Sequence, residues 1–135
     1  MTLEEALQQL SLLEEHIQRL QAALRDTEQR MADLSALEDA ILNLKGGVDD
    51  ALIPLDPRWT VIVPGSIKPS ERVVVHAGLN IFVEVSHEKA LAIIRDERAT
   101  VAKVAEAYRR ELAKILNYYS ALRSAVEQAL ATAQR

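Results

Sequence analysis

Two heptad-patterned segments of nearly equal length, 2–45 and 87–134, enclose a short stretch, 51–85, that is dense in Val, Ile and Pro. In the first segment the apolar positions Leu3, Ala6, Leu10, Leu13, Ile17, Leu20, Leu24, Thr27, Met31 and Leu34 alternate in steps of three and four, the coiled-coil repeat. Leu37, Ile41, Leu44 and Val48 continue the series. The two successive three-residue steps at Leu37 predict a stammer that locally overwinds the supercoil. In the second segment the seam reads Leu91, Ile94, Arg98, Val101, Ala105, Tyr108, Leu112, Ile115, Tyr119, Leu122, Val126, Ala129 and Ala133, with Arg98 the one charged intruder. A chain patterned in this way predicts an antiparallel helical hairpin carrying a β-rich module.

Local signals mark the ends of both helices. Thr2 with Glu5 three residues later is a capping-box pair. Gly46-Gly47 stops the first helix, and Ser86 is the N-cap of the second, with Glu88 in its first turn. At ~1.5 Å rise per residue each helix is expected to run about 65–70 Å. The insert alternates as strands do, at 51–55, 59–63, 72–76 and 80–85, with turns at Asp56-Pro57-Arg58 and Ala77-Gly78-Leu79. Two small hairpins are marginal in water, and Val-rich faces with open edges invite other strands. The expected solution is assembly, in which hairpins of several subunits combine into closed or stacked sheets. The fold class is therefore α+β, mainly α, in one module over 1–135: a two-helix antiparallel coiled coil with two central β-hairpins.

Composition narrows the function. There are 20 acidic and 16 basic residues, a formal charge of −4, which argues against a nucleic-acid partner. Arg109, Arg110 and Lys114 form a local basic patch that reads as a solvated coiled-coil face. Cysteine is absent, so disulfides, thiolate catalysis and cysteine-based metal sites are excluded. No apolar run approaches the roughly 18–20 residues that span a bilayer, and the acidic start Met1-Thr2-Leu3-Glu4-Glu5 is unlike a signal peptide. A cytoplasmic, non-membrane protein is expected. His16, His76 and His87 lack zinc-ligand spacing, the glycines fit no phosphate loop, and Tyr118-Tyr119 reads as packing. No catalytic residue, cofactor or metal is expected.

What remains is surface. An antiparallel hairpin brings Leu3, Ala6, Leu7 and Leu10 beside Val126, Ala129, Leu130 and Ala133, where the seam weakens to alanine. Fraying there exposes apolar surface, which marks either a binding site or a liability, the other reading being that the tips simply close the coiled coil.

From Ala51-Leu52-Ile53-Pro54-Leu55, through Val61-Ile62-Val63-Pro64-Gly65-Ser66-Ile67, to Val73-Val74-Val75-His76-Ala77-Gly78-Leu79-Asn80-Ile81-Phe82-Val83-Glu84 and then Lys89-Ala90, the chain resembles an alpha-class, archaeal-type prefoldin subunit. The order helix, two hairpins, helix covers the whole chain, and two hairpins mark the alpha class. Asn80 stands where the family usually has a second turn glycine, and the stretch from Asp56 to Thr60 is bulkier than typical. The resemblance implies a hexamer of two alpha and four one-hairpin beta-class subunits, with an intersubunit β-barrel built from the hairpins. It implies an ATP-independent holdase that passes non-native proteins to a group II chaperonin. Client-binding candidates are then Leu3, Leu7, Leu10, Val126 and Leu130. Assembly candidates are Ile53, Leu55, Val61, Val63, Val73, Val75, Gly78, Ile81 and Val83. The other reading is a structural coiled-coil scaffold or spacer that multimerises through its hairpins.

Overall fold

The computed structural model describes residues 1–134; Arg135, the last residue of the 1–135 module, lies outside the described residues. The elements are α1 (Leu3–Leu44), β1 (Val48–Pro54), β2 (Ile62–Ile67), β3 (Arg72–His76), β4 (Phe82–Ser86) and α2 (His87–Ala133). They fall into two compact units, one of residues 1–31 with 100–134, the other of residues 32–99.

In the first unit the two helices run antiparallel. The Tyr119 hydroxyl donates to Glu14 at 2.6 Å, and Arg109 meets Glu28 at 3.1 Å, so partners descend along α2 as they ascend along α1. The core is a narrow line of Ala6, Ile17 and Leu20 against Ala105 and Val126. Each buried Ile, Leu or Val stabilises by about 1.5–3 kcal/mol, and the fully buried Ala105 leaves room for close backbone approach. Flanking seam residues such as Leu13, Leu24, Leu112 and Ile115 are half-buried, as a two-helix seam requires.

The second unit corrects the sequence reading of the seam. Leu34 is buried at 1 % exposure, but Leu37 is 45 % exposed and lies off the seam. Glu38 takes that place, its side chain only 13 % exposed. It accepts hydrogen bonds from Arg98 at 2.5 Å and from Arg95 at 2.9 Å. The steps Met31, Leu34, Glu38, Ile41 keep the alternation of three and four, so the pattern has no stammer. The charged seam residue Arg98 thus has a charged seam partner. The glutamate was passed over in the sequence because its neighbour Leu37 offered an apolar residue at that step. Ala90 and Ile94 complete this core, together with the buried imidazole of His87.

The helix ends are capped as the sequence implies. Thr2 and Glu5 exchange both capping-box bonds, at 3.1 and 3.2 Å. Ser86 accepts the Lys89 amide at 3.1 Å. After α1 the Gly47 amide donates back to the Leu44 carbonyl at 2.9 Å, with Gly47 at φ +81°. That conformation suits glycine, and a Cβ there would lie 2.8 Å from the Ile67 oxygen and from Pro69.

The hairpins are two separate antiparallel pairs, β1 with β2 and β3 with β4. β1 begins at Val48, which therefore belongs to the sheet and not to the helical seam. A bulge follows between Val48 and Ala51. The second strand is shifted along the chain relative to its expected span. It starts at Ile62 and runs through Pro64-Gly65, which do not end it. Asp56 explains the shift: its carboxylate accepts the Thr60 amide at 2.6 Å and the Thr60 hydroxyl at 2.7 Å. This closes a broad turn that takes in Trp59, at φ +60°. Those bonds, the hydroxyl first, hold the Asp56 carboxyl below its usual range. In the second hairpin Gly78, Leu79 and Asn80 all have positive φ, so Asn80 serves in the turn without a glycine.

Candidate functional site

Two surfaces stand out, and each lies within one unit. The first is at the end of the first unit where α1 begins. There Met1, Thr2, Leu3 and Ala6 face Leu122, Ala125, Val126 and Ala129 around an open concavity of about 310 Å³. Its lining is mainly apolar, so it favours hydrocarbon side chains. The capping box fixes the first turn of α1, which holds Leu3 in place at the rim.

The sequence-derived tip residues divide here. Leu3 and Val126 line the concavity, but Val126 is 6 % exposed and mainly packs the seam. Leu10 is half-buried. Leu7 and Leu130, at 47 % and 41 % exposed, present their side chains to solvent beyond the concavity. Met1, Leu122 and Ala125 line it without having been named as candidates. Leu122 was legible as a seam residue one turn before Val126, whereas no pattern marks Met1 or Ala125.

The second surface is the hairpin pair. Leu55 donates to the Val61 carbonyl at 2.9 Å, which sets the ladder's phase. Ile53↔Val63 and Ala51↔Gly65 are then the bonded pairs, two residues apart along each strand. Side chains two apart share a face, so Ile53, Leu55, Val61 and Val63 fall on one side of the hairpin. Ile53 lies across Gly65, whose added Cβ would be 2.7 Å from the Ile53 Cδ1. In the second hairpin Ala77 donates to the Ile81 carbonyl at 2.8 Å, and by the same parity Val73, Val75, Ile81, Val83 and Val85 share one face. Ile53, Leu55, Val61, Ile81 and Val83 all remain exposed. Gly78 shapes the turn at φ +95°. The sequence-derived hairpin candidates are thus gathered onto one apolar face of each hairpin.

The polar residues have local employment. Arg109 of the basic patch pairs with Glu28 and, at 3.6 Å, with Glu106. His16 lies 3.9 Å from Glu111, and His76 stacks on Phe82 at 4.9 Å between ring centres. His87 donates from Nε2 to the Ser70 carbonyl, and the His87 Nδ1 is buried with no hydrogen-bond partner. Glu14 accepts the Tyr119 hydroxyl, and that bond, with burial, raises the phenol above its ordinary pKa. Among the described residues no cluster of His, Cys, Asp or Glu has the geometry to hold a metal ion, and no helix is long and apolar enough to cross a membrane.

Comparison with known proteins gives a consistent set of matches. The prefoldin family model, described as "Prefoldin subunit", matches residues 13–132. Prefoldin subunit alpha of Hyperthermus butylicus is 60% identical over 132 residues, covering 98% of this chain and 86% of that protein. Prefoldin subunit alpha of Aeropyrum pernix is 26% identical over 112 residues, covering 83% and 74% respectively. Among solved structures, filamentous PFD from Methanocaldococcus jannaschii matches with a TM-score of 0.48 and 24% identity, over 90% of this chain and 94% of that chain.

Proposed function

The chain belongs to the prefoldin family, and from that premise we propose that it acts as the two-hairpin subunit of an ATP-independent holdase. Its hairpins assemble with one-hairpin beta-class subunits into a hexamer of two alpha and four beta chains. Its helix ends hold non-native polypeptides, which the complex passes to a group II chaperonin in the cytoplasm. No step requires a reactive side chain, a cofactor or a metal.

The observation that carries this reading is the apolar concavity at the start of α1, flanked by the exposed Leu7 and Leu130. A non-native chain differs from a native one chiefly in exposed hydrocarbon, and a mainly apolar rim selects that feature. One such site binds weakly. Several arms acting on one client raise avidity by ~10²–10⁴ without any new contact. Weak individual contacts also let a second binder compete the client away.

Light scattering of a denatured client tests the reading. The complex formed with a beta-class partner should suppress aggregation. Removing about ten residues from each end of this chain should reduce that protection while leaving the mass of the complex unchanged. Equal protection by the truncated complex removes the tips from the mechanism and leaves a scaffold. The assembly half has its own test. Replacing Val73 and Val75 by Lys puts charge on the apolar face of the second hairpin, and sedimentation should then show loss of the complex with helical content retained.

A further inference from the structure

The turn of the first hairpin holds a tryptophan in the open at a conformational cost. Asp56-Pro57-Arg58-Trp59 closes on itself, the Trp59 amide donating to the Asp56 carbonyl at 3.1 Å, with Pro57 where proline presets the backbone of such a turn. Trp59 then stands at φ +60°, a left-handed conformation that is costly for a bulky side chain. The Asp56 carboxylate, bonded to the Thr60 amide and hydroxyl, keeps the chain in it. Little of that cost is recovered by packing within this chain, because Trp59 is 59 % exposed. An ordered, strained and exposed indole is a side chain presented to a partner. Leu79 is also exposed at positive φ, but its turn, Ala77 to Asn80, carries no charge that could orient a contact.

The concavity in the first unit matches this loop in size and in charge. At about 310 Å³ it lies at the small end of the roughly 300–1,000 Å³ range of ligand sites, so it suits one large side chain and not a length of backbone. Ala6, Ala125 and Ala129 give it its width. Glu4 and Glu5, both exposed, stand in the first turn of α1 beside it, and Glu5 accepts the amide of the lining residue Thr2 at 3.1 Å. Arg58, also exposed, adjoins Trp59. The loop leads with an indole and a guanidinium, and the socket offers hydrocarbon beside carboxylates.

We infer that the tip concavity of one copy of this chain takes the Trp59 loop of a second copy, with Arg58 set against Glu4 and Glu5. Knob and socket belong to different units of the chain, so the contact is heterologous. A copy that gives its Trp59 leaves its own socket open to another. Complexes built from this subunit therefore associate reversibly in the absence of clients, and their apolar sockets are covered while idle. A client displaces the loop by offering its own hydrocarbon to the same site. The competition, though not the self-contact, rests on the reading of the concavity as the client site.

Trp59 is the only tryptophan of the chain, so in a complex with a beta-class partner lacking tryptophan the intrinsic fluorescence reports on it alone. Dilution of that complex over about a hundredfold should move the emission to longer wavelength, while sedimentation velocity shows larger species giving way to the single complex. Trp59→Ala should weaken the association at least about thirtyfold. Arg58→Glu should weaken it by about three- to tenfold and remove its dependence on salt. Ala125→Lys places an ammonium at an exposed position of the lining and should abolish it. Adding a denatured client should disperse the larger species. Far-UV circular dichroism confirms that each variant folds. Emission that stays at short wavelength at every concentration places Trp59 inside its own complex and overturns the inference. So does the absence of larger species, or association that survives Trp59→Ala. The Ala125→Lys complex is also read in the aggregation assay. Protection lost with association unchanged sinks the self-contact alone. Association lost with protection kept leaves the self-contact standing and removes the competition. If neither changes, the client reading of the concavity fails with the self-contact.

Discussion

Leu34 and Leu37 sit three residues apart on one helix, and exchanging each for alanine separates two registers of the seam. Leu34 is the largest fully buried side chain among the described residues, at 1 % exposure, and Leu37 is 45 % exposed. Leu34→Ala removes buried hydrocarbon and leaves a void, changes that together cost about 2–5 kcal/mol in well-packed cores. The seam here is one layer deep, with half-buried Met31 and Ile41 to either side along α1, so the void opens partly to water and the lower part of that range applies. We expect about 2–3 kcal/mol. A chain of this length melts with an unfolding entropy of roughly 0.28 kcal/mol/K, so the shift in Tm is about 7–11 °C. Leu37→Ala loses only part of a Leu transfer energy, about 1 kcal/mol at most. Urea and thermal unfolding, followed by helical circular dichroism at one fixed chain concentration, measure both. Equal losses from the two variants would refute the register in which Glu38, and not Leu37, faces α2.

Three further outcomes are expected. The side-chain bond from Arg95, aided by Arg98, lowers the Glu38 pKa, so its contribution to stability is present above the ordinary carboxylate value of about 4.3 and is lost as pH falls through its lower folded value. Glu38→Gln should flatten that part of the acid limb in thermal melts taken between about pH 2 and 6. Gly47→Ala places a Cβ 2.8 Å from the Ile67 oxygen at φ +81°, and should destabilise by about 2–3 kcal/mol in urea unfolding. Ser86→Ala removes the acceptor of the Lys89 amide and should cost about 1 kcal/mol, read as a lower melting midpoint.

Much of the fold was legible because the chain uses simple periods. The α2 seam named from spacing is buried or half-buried from Leu91 to Val126, and Arg72–His76 is the strand that alternation marked. What the sequence reading missed came from side chains doing backbone work or charges doing apolar work. Glu38 was passed over for its apolar neighbour Leu37. Asp56 widened the first turn by capturing Thr60, and the strand shifted with it. Pro64 looked like a strand end, but at an outward position its missing N–H breaks no ladder bond. At the tip the sequence named leucines by proximity to the chain ends. Only the helix faces separate Leu7 and Leu130, which meet solvent, from Leu3 and Val126, which line the concavity.

The ion pair of Glu38 with Arg98 bears on how the arms find their alignment. Leucine–alanine seams are repetitive, and sliding one helix past the other by a heptad still places hydrocarbon against hydrocarbon. In one such slide Arg98 would meet Lys45, and Glu38 would meet Ala105. The first contact sets like charges together and the second strands a carboxylate against an apolar side chain. A single polar pair inside an otherwise greasy seam thus acts as a detent, discriminating against a slipped pairing that the apolar residues alone would tolerate. The chain can use featureless, interchangeable seams for most of its length because one half-buried glutamate records where the two helices belong.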